Sequence, residues 1–188
     1  MPTRTAWVLG SSGFLGGAVG RRYVDLGWHV WGAGRPNHPI PEGYTGWMTG
    51  AVTETLLAEM AKRGTLPDLV FHGAGGARVG VAEADPQGDF EKSVESTRAV
   101  VEFLVRHKPD AAFVFPSSAA VYGSCDAGPI AETARCAAVS HYGRHKVLCE
   151  EICEIAARDH GLRSLVIRFF SVSGPGLRKQ LLWDLGRQ

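Results

Sequence analysis

Tyr142 and Lys146 stand four residues apart in Tyr142-Gly143-Arg144-His145-Lys146. On a helix that spacing puts both side chains on one face, so an ammonium can sit beside a phenol, lower its pKa and make it a proton carrier. Alone, such a pair is ordinary surface decoration. Upstream, Ser117 and Ser118 follow the apolar run Phe113-Val114-Phe115-Pro116 and supply hydroxyls. Near the N-terminus, Gly10-Ser11-Ser12-Gly13-Phe14-Leu15-Gly16 follows one apolar run and opens a segment of helical period. Gly10 permits a tight turn, Gly13 lets a pyrophosphate approach the backbone, and Gly16 lets the helix pack closely on the strand. Free N–H groups at the helix start then face the phosphates. The reading is a dinucleotide loop in which Ser12, Phe14 and Leu15 take part with the three glycines; the plainer alternative is a strand-to-helix turn.

Other residues point to the same chemistry less directly. Gly32-Ala33-Gly34-Arg35 carries no Asp or Glu where a ribose 2′-hydroxyl acceptor is expected for NAD. Arg35 can instead pair with a 2′-phosphate, which leans the expectation toward NADP, against a solvated loop arginine. Phe71-His72-Gly73-Ala74-Gly75-Gly76 ends a further apolar run in small residues, and Ala74 and Gly75 leave room for the nicotinamide-side ribose and phosphates. His141, His145, Cys149 and Cys153 recur every four residues, but one helix does not wrap four ligands around an ion. No metal is expected; thiols packed beside Ile152 and Ile155, with exposed histidines, explain the ladder. Arg21-Arg22 and Arg178-Lys179 are short basic pairs without interleaved aromatics, and solvation accounts for them.

The elements that must position these residues alternate. Apolar runs at 5–9, 29–33, 46–48, 69–72, 112–116 and 164–169 read as strands, and segments at 14–26, 54–62, about 88–106 and 142–159 as helices, with Gly27 and Gly161 as stops. Such alternation predicts an α/β fold around a doubly wound parallel sheet, with helices in layers on both faces. Its strand order reverses beside the first strand, so ligands belong outside the strand C-termini near Gly10, His72 and Ser117. Gly174 to Gln188 holds Gly-Pro-Gly and a short amphipathic segment, Leu177 to Leu185.

With 188 residues the chain has room for one sizeable domain. Lys+Arg at 20 against Asp+Glu at 19 gives no general pull toward nucleic acid or anionic lipid, and no apolar run approaches the roughly 20 residues of a membrane span. The first nine residues lack signal-peptide features, so a cytoplasmic protein with Cys125, Cys136, Cys149 and Cys153 as reduced thiols is expected. The 24 glycines cluster at the ends of apolar runs, which points to backbone brought close to ligands.

In this order, the segments GSSGFLG, FHGAGG, SSAAVYG, YGRHK and IRFFSVSGPG resemble the extended short-chain dehydrogenase/reductases, the NAD(P)-dependent epimerase/dehydratase family. The resemblance runs from Trp7 to about Leu182. It implies a three-layer α/β/α Rossmann domain over residues 1–176, with 177–188 opening a C-terminal substrate-binding region that is mostly absent. It further implies Tyr142 as catalytic acid-base, Lys146 as the residue that lowers its pKa and holds the nicotinamide ribose, and Ser118 as hydrogen-bond donor to the substrate oxygen. Ser117 and Tyr122 would be their neighbours. NAD(P) would be the cofactor, a nucleotide sugar oxidised or reduced at C4 the substrate, and a homodimer through the helices from Gly88 and Tyr142 the assembly. Epimerase, dehydratase and reductase subtypes stay open, as do a cofactor-binding module without catalysis and a reductase of a non-sugar ketone. Gly50, Ser93 and Ser171 stand where the family usually carries an acidic residue and two asparagines.

Overall fold

The computed structural model describes residues 3–125 and 128–177. Six strands, β1 (Thr5–Leu9), β2 (His29–Gly34), β3 (Gly46–Thr49), β4 (Leu69–His72), β5 (Ala112–Ser118) and β6 (Arg163–Phe169), form one sheet in the order β3-β2-β1-β4-β5-β6. Every pairing is parallel, and the order reverses beside β1 as a doubly wound Rossmann sheet requires. The expected strands are all present, with β5 running two residues further, to Ser118, and β6 starting one earlier, at Arg163.

Alternation along the strands sorts the core into two layers. Trp7, Leu9, Val70, Phe113 and Phe115 face α2 (Glu54–Arg63), α5 (Ser96–His107) and α6 (His141–His160), while Val8, Val30 and Phe71 face α1 (Phe14–Asp25). Helix starts are capped locally: Thr53 accepts from Leu56 N–H and Ser140 from Gly143 N–H. Gly161, at φ +68, closes α6 in the left-handed region. Toward β6 the outer face has no helix among the described residues, and Leu165 and Phe170 are exposed.

Three features depart from the sequence reading. The helix expected at about 88–106 is three pieces: α4 (Pro86–Phe90), a π-helical turn (Glu91–Glu95) and α5, preceded by a short α3 (Val79–Ala84). A 3-10 turn at Ala119–Tyr122 follows β5. Several glycines serve tryptophans rather than ligands: a Cβ at Gly32 would lie 2.6 Å from the Trp47 ring, and one at Gly46 2.6 Å from the Trp31 ring. Strand β2 and the edge strand β3 thus interlock through ring-on-backbone packing on both faces. Only Leu177 of the amphipathic segment, and neither Arg178 nor Lys179, falls within the described residues. No helix among the described residues is long and apolar enough to cross a membrane.

Candidate functional site

A cleft of about 2010 Å³ opens along the C-terminal ends of the strands, larger than the roughly 300–1,000 Å³ of a one-ligand pocket. Its lining includes Gly10, Ser12, Gly13, Phe14, Leu15, Gly16, Arg35, Ala74 and Gly75 toward one end, and Ser118, Tyr142 and Lys146 toward the other. Parallel strands deliver these residues together because each loop after a strand emerges on the same edge of the sheet.

The first end is main chain. Gly10 has φ +85, and a Cβ there would lie 2.5 Å from the backbone of Gly73 and Ala74. Gly16 is buried against Gly10 with no room for a side chain. Gly13, the N-cap of α1, offers no side chain to its own first turn, so the free N–H groups of that turn face the cleft. A phosphate group fits that set of donors and the positive end of the helix. Arg35 leaves β2 and ties back to the loop, its guanidinium donating to Ser12 O at 3.0 Å and Ser12 Oγ at 3.3 Å. Gly50 (φ +139) and Val52 line the same end, so the contact an acidic side chain would make at 50 falls to backbone or to Val52. Ser93, on the π-helical turn, accepts from Gly76 N–H at 2.9 Å and braces the small-residue loop; Ser171 is exposed.

The second end is side chain. Ser118 closes β5 and accepts from Ala120 N–H at 3.2 Å, which leaves its hydroxyl proton free to donate. Lys146 is buried, donates to the Pro116 carbonyl at 3.0 Å and stands 4.6 Å from the centroid of Phe115. Burial pushes its pKa below the usual lysine range, opposed by the nearby Cys149, Asp89 and Glu150. Its amine is 5.8 Å from the centroid of the Tyr142 ring. The lowering of Tyr142 by Lys146 that the spacing predicts is not found in this arrangement: burial holds the phenol above its ordinary value, Asp89 adds to that, and Ser118 pulls the other way. The reason is geometric, since the ammonium has turned to a backbone acceptor.

Ser117 and Tyr122 are neighbours of this end but serve its wall. Ser117 Oγ donates to Glu150, which is clasped by Arg168 at 2.7 and 3.1 Å. Arg168 also donates to Tyr122 Oη at 3.0 Å and lies over its ring at 4.9 Å. The Glu150 carboxylate holds that guanidinium well above its usual range. Glu150 and Arg168 escaped the sequence reading, although Glu150 follows Lys146 by one helical turn. His72 is fully buried under the cleft floor, with Nε2 3.1 Å from Ser96 Oγ and Nδ1 without a partner among the described residues. Desolvation, then Lys146, lowers its pKa to about 3, so it is neutral.

The histidine–cysteine ladder is a docking seam; of its histidines, expected to be exposed, His141 keeps 40% of its side chain exposed while His145 is buried. His141 contacts Glu83 on α3 at 2.8 Å, His145 contacts Asp89 on α4 at 2.6 Å, and Cys149 meets Thr97 and Ser93 at 3.5 Å. All four cysteines are free, and burial pushes the Cys153 thiol up to about 12.

A model of the NAD dependent epimerase/dehydratase family matches residues 6–182. The UDP-glucose 4-epimerase of Azospirillum brasilense is 29% identical over 172 residues, covering 89% of this chain and 49% of that protein. The UDP-glucose 4-epimerase of Streptomyces lividans is 27% identical, covering 94% and 55%. Among solved structures, UDP-glucose 4-epimerase from Brucella ovis in complex with NAD superposes with a TM-score of 0.82 at 24% identity, over 92% of this chain and 53% of that one. A structure of MoeE5 in complex with UDP-glucose and NAD gives 0.84 at 25% identity, over 98% and 60%. The chain spans about half the length of the curated relatives it matches.

Proposed function

The chain belongs to the NAD dependent epimerase/dehydratase family, and on that premise we propose that it carries the dinucleotide-binding and proton-transfer half of an enzyme acting at C4 of a nucleotide sugar. One observation supports this above the others: the Gly10–Gly16 loop and the Ser118, Tyr142 and Lys146 side chains line a single cleft large enough for two ligands. The similarity to UDP-sugar 4-epimerases supports a UDP-hexose as the sugar nucleotide.

When bound, a nicotinamide ring supplies reversible hydride acceptance. The chain's own residues then divide the remaining work. The α1 N-terminus and the glycine loop hold the pyrophosphate through N–H groups and the helix field. Lys146 has three donors and spends one on the Pro116 carbonyl, which leaves two for ribose hydroxyls and for Tyr142. Ser118 donates to the oxygen on the reacting carbon, and Tyr142 takes the proton from that oxygen and returns it. Arg35, with no carboxylate beside it at the end of β2, favours a cofactor bearing a 2′-phosphate. Leu148 and Ile155 are exposed on the outer face of α6, and we place the homodimer contact there, to be read by light scattering.

The test is a fluorescence titration of the purified chain with NADH and with NADPH, followed by incubation with a UDP-hexose and a search for inversion or oxidation at C4. Saturable binding, tighter for NADPH, with reaction at C4 is the expected result. A folded chain that binds neither nucleotide would overturn the reading.

A further inference from the structure

Asp89 and His145 have no part in the roles assigned so far. Asp89, on α4, is 4% exposed, and His145, on α6 between Tyr142 and Lys146, is 8% exposed. The 2.6 Å contact between Asp89 Oδ2 and His145 Nδ1 is short, as charge-assisted hydrogen bonds are. A carboxylate this deeply buried needs such a partner. The other oxygen, Oδ1, makes no hydrogen bond among the described residues, and a Cβ at Gly76 would overlap it. Asp89 also lines the cleft.

The couple joins three elements. His145 is wedged by the Phe90 ring, edge-on at 5.5 Å, and by His141 at 6.3 Å; His141 is itself held by Glu83 of α3 at 2.7 and 2.8 Å. Asp89 therefore ties α4 and the Gly76 loop to the turn of α6 that presents Tyr142 and Lys146. Its charge faces both, and it favours the protonated form of each.

We propose that Asp89, anchored by His145, is a positioning residue for the Tyr142–Lys146 pair: it clamps their turn of α6 onto α4 and sets a carboxylate beside the two side chains. The role assigned to Tyr142 under the proposed function gives this its purpose, but the clamp can be tested without it. The other titratable groups facing the site are His141 with Glu83, Cys149, Cys153 and Glu150 along α6, and His72 from β4, which faces Lys146.

Asp89→Asn retains an oxygen that accepts from His145 and removes the charge. Tyrosinate absorbance titrated against pH, with the Tyr142→Phe background subtracted, reads the Tyr142 phenol alone. In folded D89N its midpoint should fall by on the order of one pH unit, as when an anion is taken from beside another ionising group. An unchanged midpoint overturns the proposal. Should D89N not fold, His145→Gln keeps a donor for Asp89 and its midpoint should stay at or above that of the parent; a fall overturns the proposal equally. Full sugar-nucleotide turnover by Y142F would sink the role of Tyr142 in the reaction, and the titration would still report on the clamp.

Discussion

At one end of the cleft the chain offers almost nothing but main chain; at the other it packs a half-buried tyrosine with a buried lysine, aspartate and histidine. The glycine loop works by leaving atoms out. Gly10 and Gly16 let backbone meet backbone, and Gly13 leaves the helix start uncapped. The second end works by crowding atoms in, so that partners from other elements act on its side chains: Pro116 O accepts from Lys146, Asp89 bears on both members of the pair, and Ser118 on Tyr142. Removal of space should therefore disable the first end, while removal of a proton or a charge should disable the second without disturbing the first.

The largest expected effect separates them directly. Tyr142→Phe removes one hydroxyl and no volume the fold needs, so turnover should drop about 10²- to 10⁴-fold, the usual scale for a lost proton carrier. NADH affinity, read by fluorescence, should stay within about twofold; a tenfold loss would merge the two ends. Next comes Gly10→Ala, whose methyl group meets the Gly73–Ala74 backbone at positive φ. Equilibrium denaturation should show a loss of about 3 kcal/mol together with loss of nucleotide binding. Gly27→Ala is the control: its φ is +75 with nothing within 4 Å, so strain alone, about 1–2 kcal/mol, should remain. Equal losses for the two variants would remove close approach as the reason for Gly10.

Smaller effects probe the second end. Arg168→Met leaves Glu150 half-buried without its guanidinium and frees Tyr122, and should cost about 2 kcal/mol, measured by denaturant. His72 gives a pH signature. Its folded pKa, about 3, lies below the ordinary 6.5, so the unfolded chain takes up a proton that the folded chain refuses. Its contribution is present in full above pH 6.5 and is lost as pH falls toward 3. In His72→Gln the fall of unfolding free energy with acidification should be shallower over that window, by at most about 1.4 kcal/mol per pH unit. An unchanged slope would show that the cleft floor carries no buried neutral imidazole.

The sequence exposed the two ends unequally for the same reason. The glycine loop could be read directly because it is written in consecutive residues: a strand, three glycines at fixed spacing, a helix. The six strands and the helices α1, α2 and α6 were legible from apolar period, to within a residue or two at their ends. Ser118, Tyr142 and Lys146 were legible as residue types at a spacing, but the state of Lys146 was not, because nothing near it in the chain names Pro116 O as its acceptor. The π-helical turn was hidden for a related reason: its local composition is helical, and over five residues the shift in phase of the apolar pattern is too short to read.

Asp89 and His145 are 56 positions apart, and each reads alone as an ordinary polar residue. The glycines under Trp31 and Trp47 misled in the opposite direction, since composition cannot distinguish a backbone bared for a phosphate from one bared for an indole. By itself, then, the sequence determined the order of strands and helices, the glycine loop and the residue types at the Tyr142–Lys146 end, because periodicity and turn chemistry act over a few consecutive residues. Which glycines line the cleft, which acceptor holds Lys146, and the closing of α4 onto α6 through Asp89 and His145 were decided by tertiary structure alone. Packing and electrostatics act through space, and only the folded sheet brings residue 89 within 2.6 Å of residue 145.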